Sequence, residues 1–271
     1  CALAIRGLMD ARSEAGRFTV FSTGAEHAAV RDLCDAIGHR GERGRSAVRL
    51  EAAAGGAINL DVLREALDGL RGEALVSVMW ANNETGVISP LAEIAAVVAE
   101  ARTAGKKVWL HTDATQAVGK LPVDVQAMGI DFLSADGHKW MLAPEGAGIF
   151  YCRADLCPVL HPNVVGWMNM VDAGNYGDYR FAFQMDARRF EPGSWNIPGI
   201  AALGASLELL LGVGIDGPKG VWARVEALTT RLVEALGAKG YPVFTPRTSP
   251  SERSGIVIFD LPASLRDRLD P

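Results

Sequence analysis

The run Leu75–Trp80 is apolar at every position except Ser77. A strand of that kind has both faces buried, as a central strand does in a parallel sheet covered by helices on either side. The flanking sequence fits such a sheet. Phe18–Ser22, Ala47–Leu50, Val108–His111, Asp131–Ser134 and Gly148–Cys152 read as further short strands. Helical patterns fall between them. Ala2–Ala15 puts Leu3, Ile5, Leu8 and Met9 on one side, and Ala28–Ile37 follows the first strand. Asn59 caps a helix that uses Leu60, Leu63, Ala66, Leu67 and Leu70. Pro90 opens another through Ala104, with Leu91, Ile94, Val97, Val98 and Ala101 as its stripe and Gly105 as its stop. Strands alternating with helices predict an α/β fold with a mostly parallel sheet flanked by helices.

The character changes after Cys157. Pro158–Arg189 reads as a long surface excursion. Pro198–Val213 and the amphipathic Val221–Leu236 are predicted helices, and Ile256–Phe259 is a predicted strand opening a smaller domain. The expected division is a large domain over 1–195, then a connecting helix and the start of a smaller C-terminal α+β domain over 196–271.

Composition narrows the function. The 271 residues are 49% hydrophobic, enough for a buried core. Basic residues (27) and acidic residues (32) are interspersed and the net charge is −5. That pattern argues against nucleic acid or an anionic membrane surface as partner. No apolar run is long enough to cross a bilayer, and Arg6, Asp10 and Arg12 argue against a signal peptide in the opening stretch. Cys1, Cys34, Cys152 and Cys157 lack zinc-type spacing, which suits packing or surface thiols in a reducing cytoplasm. The five histidines form no helix-face pair, so no metal site is expected. The absence of a Gly-x-Ser-x-Gly elbow disfavours a serine hydrolase.

Parallel sheets bind ligands at the carboxyl ends of their strands. His27, Asn83, Asp113, Gln116, His138 and Lys139 all lie largely where strands end. Lys139 follows Gly137-His138 and precedes the turn Pro144-Glu145-Gly146-Ala147-Gly148. Its amine is either a solvated charge or, with its pKa lowered, a Schiff-base former. Asp113 either caps the segment 114–117 or pairs with a protonated ring nitrogen. An acid partner to a pyridinium nitrogen together with a lysine Schiff base marks a pyridoxal phosphate (PLP) site. His27 either caps the helix after it or stacks on that ring. Gln116 either faces solvent or donates to the cofactor's phenolic oxygen. Asn82 and Asn83 are turn formers, with Asn83 facing the cofactor edge in the functional reading. His138 and Ser194 are candidate phosphate contacts.

Several blocks stand in the order of a known family: Glu26-His27-x-Ala29-Val30, Asn82-Asn83-Glu84-Thr85-Gly86, His111 through Asp124, and Gly137-His138-Lys139. The chain resembles the PLP-dependent cysteine desulfurases of the class V aminotransferase superfamily over most of residues 1–210. The resemblance implies a PLP-dependent transferase of fold type I, cytoplasmic and homodimeric. It further implies movement of sulfur from L-cysteine to an enzyme cysteine with release of L-alanine, possession of a sulfur-acceptor protein, and a place in iron–sulfur cluster biogenesis. Lys139 would carry the cofactor, Asp113 would hold its ring nitrogen protonated, Gln116 would bond its phenolic oxygen and His27 would stack on it. Asn83 would touch cofactor or substrate. His138 would hold the phosphate, aided by Ser194 of the partner subunit, where the family usually has threonine.

The pattern also departs from the family. The phosphate loop of the large domain is expected before Cys1. The nucleophilic cysteine and the substrate-carboxylate arginine are expected beyond Pro271, so the chain reads as truncated at both ends. Asp136 stands where desulfurases commonly carry a phosphate-binding serine. The stretches His138–Gly146, Val165-Gly166-Trp167 and Ala187–Glu191 resemble aminotransferase- or epimerase-like members more closely. The alternatives are therefore another class V enzyme (aminotransferase, epimerase or lyase), or a truncated scaffold of the same fold without activity.

Overall fold

The computed structural model describes residues 1–12, 16–53, 56–177, 180–247, 252–263 and 265–266. Six strands form one sheet: β1 (Phe18–Thr23), β2 (Arg45–Leu50), β3 (Glu73–Met79), β4 (Lys107–Asp113), β5 (Phe132–Asp136) and β6 (Gly148–Cys152). Their order is β2-β1-β3-β4-β5-β6. The first five are parallel and β6 closes the edge antiparallel to β5. The helices are α1 (Ala2–Ala11), α2 (Ala28–Arg40), α3 (Leu60–Asp68), α4 (Leu91–Thr103), α5 (Ile197–Val213) and α6 (Val221–Ala238). The expected α/β architecture is the one observed.

The apolar run is β3, buried at all its positions. Its alternate residues feed two cores, as the two-residue period of a strand requires. Ala74, Val76 and Val78 join Leu63 and Leu67 of α3 and Ile94, Val97 and Val98 of α4. Leu75 joins Ile5, Leu8 and Met9 of α1 and Val30 and Ile37 of α2. Ser77, the polar exception, is paired in register with His111 of β4, and its hydroxyl meets His111 Nδ1 at 2.8 Å.

Asp131 is a second buried polar anchor. It accepts from the Leu110 amide at 2.8 Å and is ion-paired by Arg102 of α4 and by Arg153 just past β6. One carboxylate thus ties a helix and two strands together.

The chain differs from expectation in two places. The segment 114–117, helical in the capping reading of Asp113, instead enters successive turns over 115–120, with Val118 N–H bonding Ala114 O at 3.0 Å and Leu121 N–H bonding Ala117 O at 2.9 Å. Gly119 has φ +96°, and a Cβ there would stand 2.3 Å from the Trp140 carbonyl oxygen. That positive φ breaks helical propagation and lets two backbones touch. The predicted strand Ile256–Phe259 is the second correction. It forms one isolated antiparallel bridge, Val243 with Phe259. Among the described residues these two short segments have no third neighbour, and a pair alone does not sustain a ladder.

Among the described residues no helix is long and apolar enough to cross a membrane, and no group of three or more His, Cys, Asp or Glu could hold a metal.

Candidate active site at the carboxyl ends of the strands

Every predicted site residue except Ser194 follows or ends one of the strands β1, β3, β4 and β5. Register brings these ends level, since Met79 pairs with Asp113 and Asp113 with Ser134.

Asp113 is buried, and its two oxygens have different partners. Oδ1 accepts the Thr115 amide at 3.0 Å, which realises the capping reading. Among the described residues, the hydrogen-bond donor that Oδ2 meets is the Cys1 thiol, at 3.6 Å. A thiol is a weak donor, so this oxygen keeps its capacity to accept from a stronger one. Behind it His111 is fully buried between Ser77 and Ser134, with Nε2 3.1 Å from Ser134 Oγ. Burial pushes its pKa well below 6.5, so it is a neutral support.

His27 caps α2, its Nδ1 accepting the Ala29 amide at 3.2 Å. The acceptor role at Nδ1 places the ring proton on Nε2. The neighbouring Glu26 is 4% exposed, and its Oε1 accepts from the Met79 amide at 3.0 Å and from the Thr23 hydroxyl at 3.3 Å. Oε2 has no partner. Desolvation raises this carboxyl to about 8. Glu26 also lines a cavity of about 10 Å³, room for about one water.

Asn82 makes the turn after β3. Its Oδ1 accepts the amides of Glu84 (2.9 Å) and Thr85 (2.7 Å), and its Nδ2 donates to Ala25 O at 2.7 Å. This last bond joins the shoulder carrying His27 to the one carrying Asn83. Asn83 is half-buried and forms no side-chain hydrogen bond among the described residues.

Lys139 is half-buried and His138 is exposed, both in the turn after β5. Two bonds fasten this turn to the one after β4. The Asp136 amide donates to Thr115 Oγ1 at 3.2 Å, and Trp140 Nε1 donates to Gln116 Oε1 at 2.9 Å. Asp136 itself is exposed. Ser194 is exposed and forms no hydrogen bond to the other site residues among those described, although nearby Asn196 donates to Gly146 O at 3.0 Å.

The geometry therefore gathers His27, Asn83, Asp113, Gln116, His138 and Lys139 on one rim and leaves Ser194 off it. Sequence reasoning missed Glu26, Trp140 and Lys120. Lys120 is fully buried, with its amine 4.1 Å from the centre of the Trp140 ring. The rim offers a half-buried amine, a buried carboxylate oxygen short of a strong donor, and an amide whose oxygen is already engaged. That donor set fits an aldehyde cofactor with a basic ring nitrogen and an anionic ring oxygen.

A mostly parallel sheet with an antiparallel edge strand and a lysine-bearing rim defines a fold type I transferase. Residues 1–264 match the family model of class V aminotransferases, and the chain belongs to that family. It is 36% identical over 224 residues to a cysteine desulfurase of Gluconacetobacter diazotrophicus, an alignment covering 83% of this chain and 48% of the relative. The fold is similar to the apo cysteine desulfurase of Thermococcus onnurineus NA1, with TM-score 0.80 and 23% identity over 99% of this chain and 64% of that one. It is also similar to C-DES, solved as a cystine C–S lyase with its product cysteine persulfide (TM-score 0.72, 23% identity, 92% and 71% covered). A C-DES variant carrying glycine covalently linked to its PLP cofactor has TM-score 0.75 at 22% identity, with 98% and 74% covered. The chain spans about half the length of the curated relatives it matches.

Proposed function

We propose that this chain is the cofactor-binding part of a PLP-dependent cysteine desulfurase that takes sulfur from L-cysteine onto an enzyme cysteine and releases L-alanine. The observation that carries this reading is the split of Asp113. One oxygen is spent on the backbone and the other, buried at the end of β4, lacks a strong donor.

When bound, PLP supplies an electron sink for bonds at the α-carbon of an amino acid. The residues of the chain supply the rest. Lys139 offers the amine that captures an aldehyde. Asp113 Oδ2 accepts from, and so holds in place, a proton on a ring nitrogen. Gln116 donates from its amide nitrogen, its oxygen being held by Trp140. His27 presents its ring at the rim, with the proton on Nε2. In this reading Asn83 touches cofactor or substrate, and His138 holds the phosphate.

The same reading includes a homodimer, with Ser194 of the partner subunit adding a phosphate contact. Exposed Trp167, Tyr176, Phe181 and Trp195 along 158–195 support such an interface. The division into a large domain over 1–195 and a smaller one begun by 196–271 belongs to this reading. So do a cytoplasmic setting, a sulfur-acceptor protein and a role in iron–sulfur cluster assembly.

Borohydride reduction of the PLP-loaded protein followed by peptide mass spectrometry tests the reading. The cofactor mass is expected on Lys139 and is lost in Lys139→Ala, and the full-length protein given L-cysteine releases alanine and sulfide. Labelling spread over surface lysines, or none at all, overturns it.

A further inference from the structure

Lys120 has no function in the reading above, and its burial calls for one. A lysine is almost never fully buried without a partner. This one is 0% exposed, and its Nζ has no hydrogen-bond partner among the described residues. Its amine lies over the face of Trp140, 4.1 Å from the ring centre. Burial alone lowers the amine to about 7. Keeping it there costs stability, and a methionine would fill the same space without that cost.

The neighbours of that contact are the catalytic candidates. Trp140 follows Lys139 in the chain, and its indole N–H donates to Gln116 Oε1. An indole nitrogen is a donor only. The amide oxygen of Gln116 must therefore face the indole, and its NH₂ group is turned the other way as a pure donor. Which end of Gln116 is presented depends on where the indole plane lies. Two close approaches bracket Trp140. Gly119 leaves no room for a Cβ against the Trp140 carbonyl, since one would stand 2.3 Å from its oxygen, and the Lys120 amine lies 4.1 Å from the ring centre.

We propose that Lys120 is a positioning residue, which through its contact with the Trp140 ring sets the indole so that Gln116 presents only its amide donors to the site. As it concerns the anionic ring oxygen of PLP, the proposal rests on the cofactor reading. As it concerns Lys120, Trp140 and Gln116, it stands on the protein alone. The arrangement suits a ligand oxygen carrying negative charge and rejects one that must donate.

The test compares the full chain with its Lys120→Met and Trp140→Phe variants by ¹H–¹⁵N NMR, first without cofactor. In the parent protein the Trp140 indole proton is expected to exchange slowly, and the Gln116 side-chain amide to give two sharp, separated proton signals. Measured below pH 7, where the amine carries its charge, Lys120→Met is expected to keep or raise the melting temperature while speeding indole exchange roughly ten- to thirtyfold, the size of a desolvated cation–π contact. Trp140→Phe leaves a ring for Lys120 but no N–H, and is expected to merge or broaden the Gln116 amide pair. With PLP added, both variants should shift the visible absorbance of the bound cofactor while borohydride still tags Lys139. Unchanged indole exchange in Lys120→Met, or an undisturbed Gln116 amide in Trp140→Phe, overturns the proposal. Absence of any Lys139 adduct in the parent protein overturns the cofactor reading instead, and the cofactor-free spectra still decide the role of Lys120.

Discussion

Glu26 sits beside His27 in the sequence and is opposite to it in exposure. Its carboxyl titrates at about 8 in the folded chain against an ordinary 4.5. Between those values the folded state binds more protons than the unfolded one, so this group removes stability as pH rises from about 4.5 to 8, by up to about 1.4 kcal/mol per unit. Glu26→Gln keeps an oxygen for the Met79 amide and cannot ionise. Its stability relative to the parent, by urea titration, is expected to be near zero at pH 4.5 and to grow steadily to pH 8. A difference that does not change with pH would show that Glu26 is ionised in the fold. His111 acts in the other direction, since its depressed pKa means stability is lost as pH falls below about 6.5. At this scale the sequence is legible in part. Asp113, Gln116 and Lys139 are visible because polar residues at strand ends are where a parallel sheet binds ligands. Glu26 and Lys120 are not, because nothing local distinguishes a buried charged residue from a solvated one. The link between Trp140 and Gln116 exists only once β4 and β5 have paired.

At the scale of elements, the apolar runs locate the central strands because β3 and its neighbours must be covered on both faces, while the edge strands β2 and β6, largely half-buried or exposed, follow from the alternation with helices. Ile256–Phe259 has the same local pattern and is not a strand, since a ladder needs neighbours as well as propensity. The bond from Thr245 Oγ1 to Thr85 O at 2.9 Å instead seats that region on the turn after β3. The clamp at Asp131 carries the prediction here. Asp131→Ala leaves Arg102 and Arg153 without their shared acceptor and the Leu110 amide buried and unpaired. A loss of about 1 to 3 kcal/mol in urea unfolding is expected, the cost of one buried unpaired amide, since both arginines reach solvent. Asp131→Asn, which still accepts from Leu110, should lose less. Equal losses would assign the effect to charge alone.

At the scale of the whole molecule, the rim draws on strand ends far apart in the chain, from His27 after β1 to Lys139 after β5. Contacts of such long sequence separation form slowly, because the loops between them must close first. In refolding from urea with PLP present, far-ultraviolet circular dichroism is expected to recover before the absorbance of lysine-bound cofactor appears. Simultaneous recovery would mean that the rim assembles locally.

The order of strands along the chain has a consequence for synthesis. Asp113 leaves the ribosome before Lys139, and the strand ends that carry them come side by side only when β5 has docked beside β4. A nascent chain halted between them would carry the acid without the amine. Cofactor loading would then begin only after the last parallel strand has been translated.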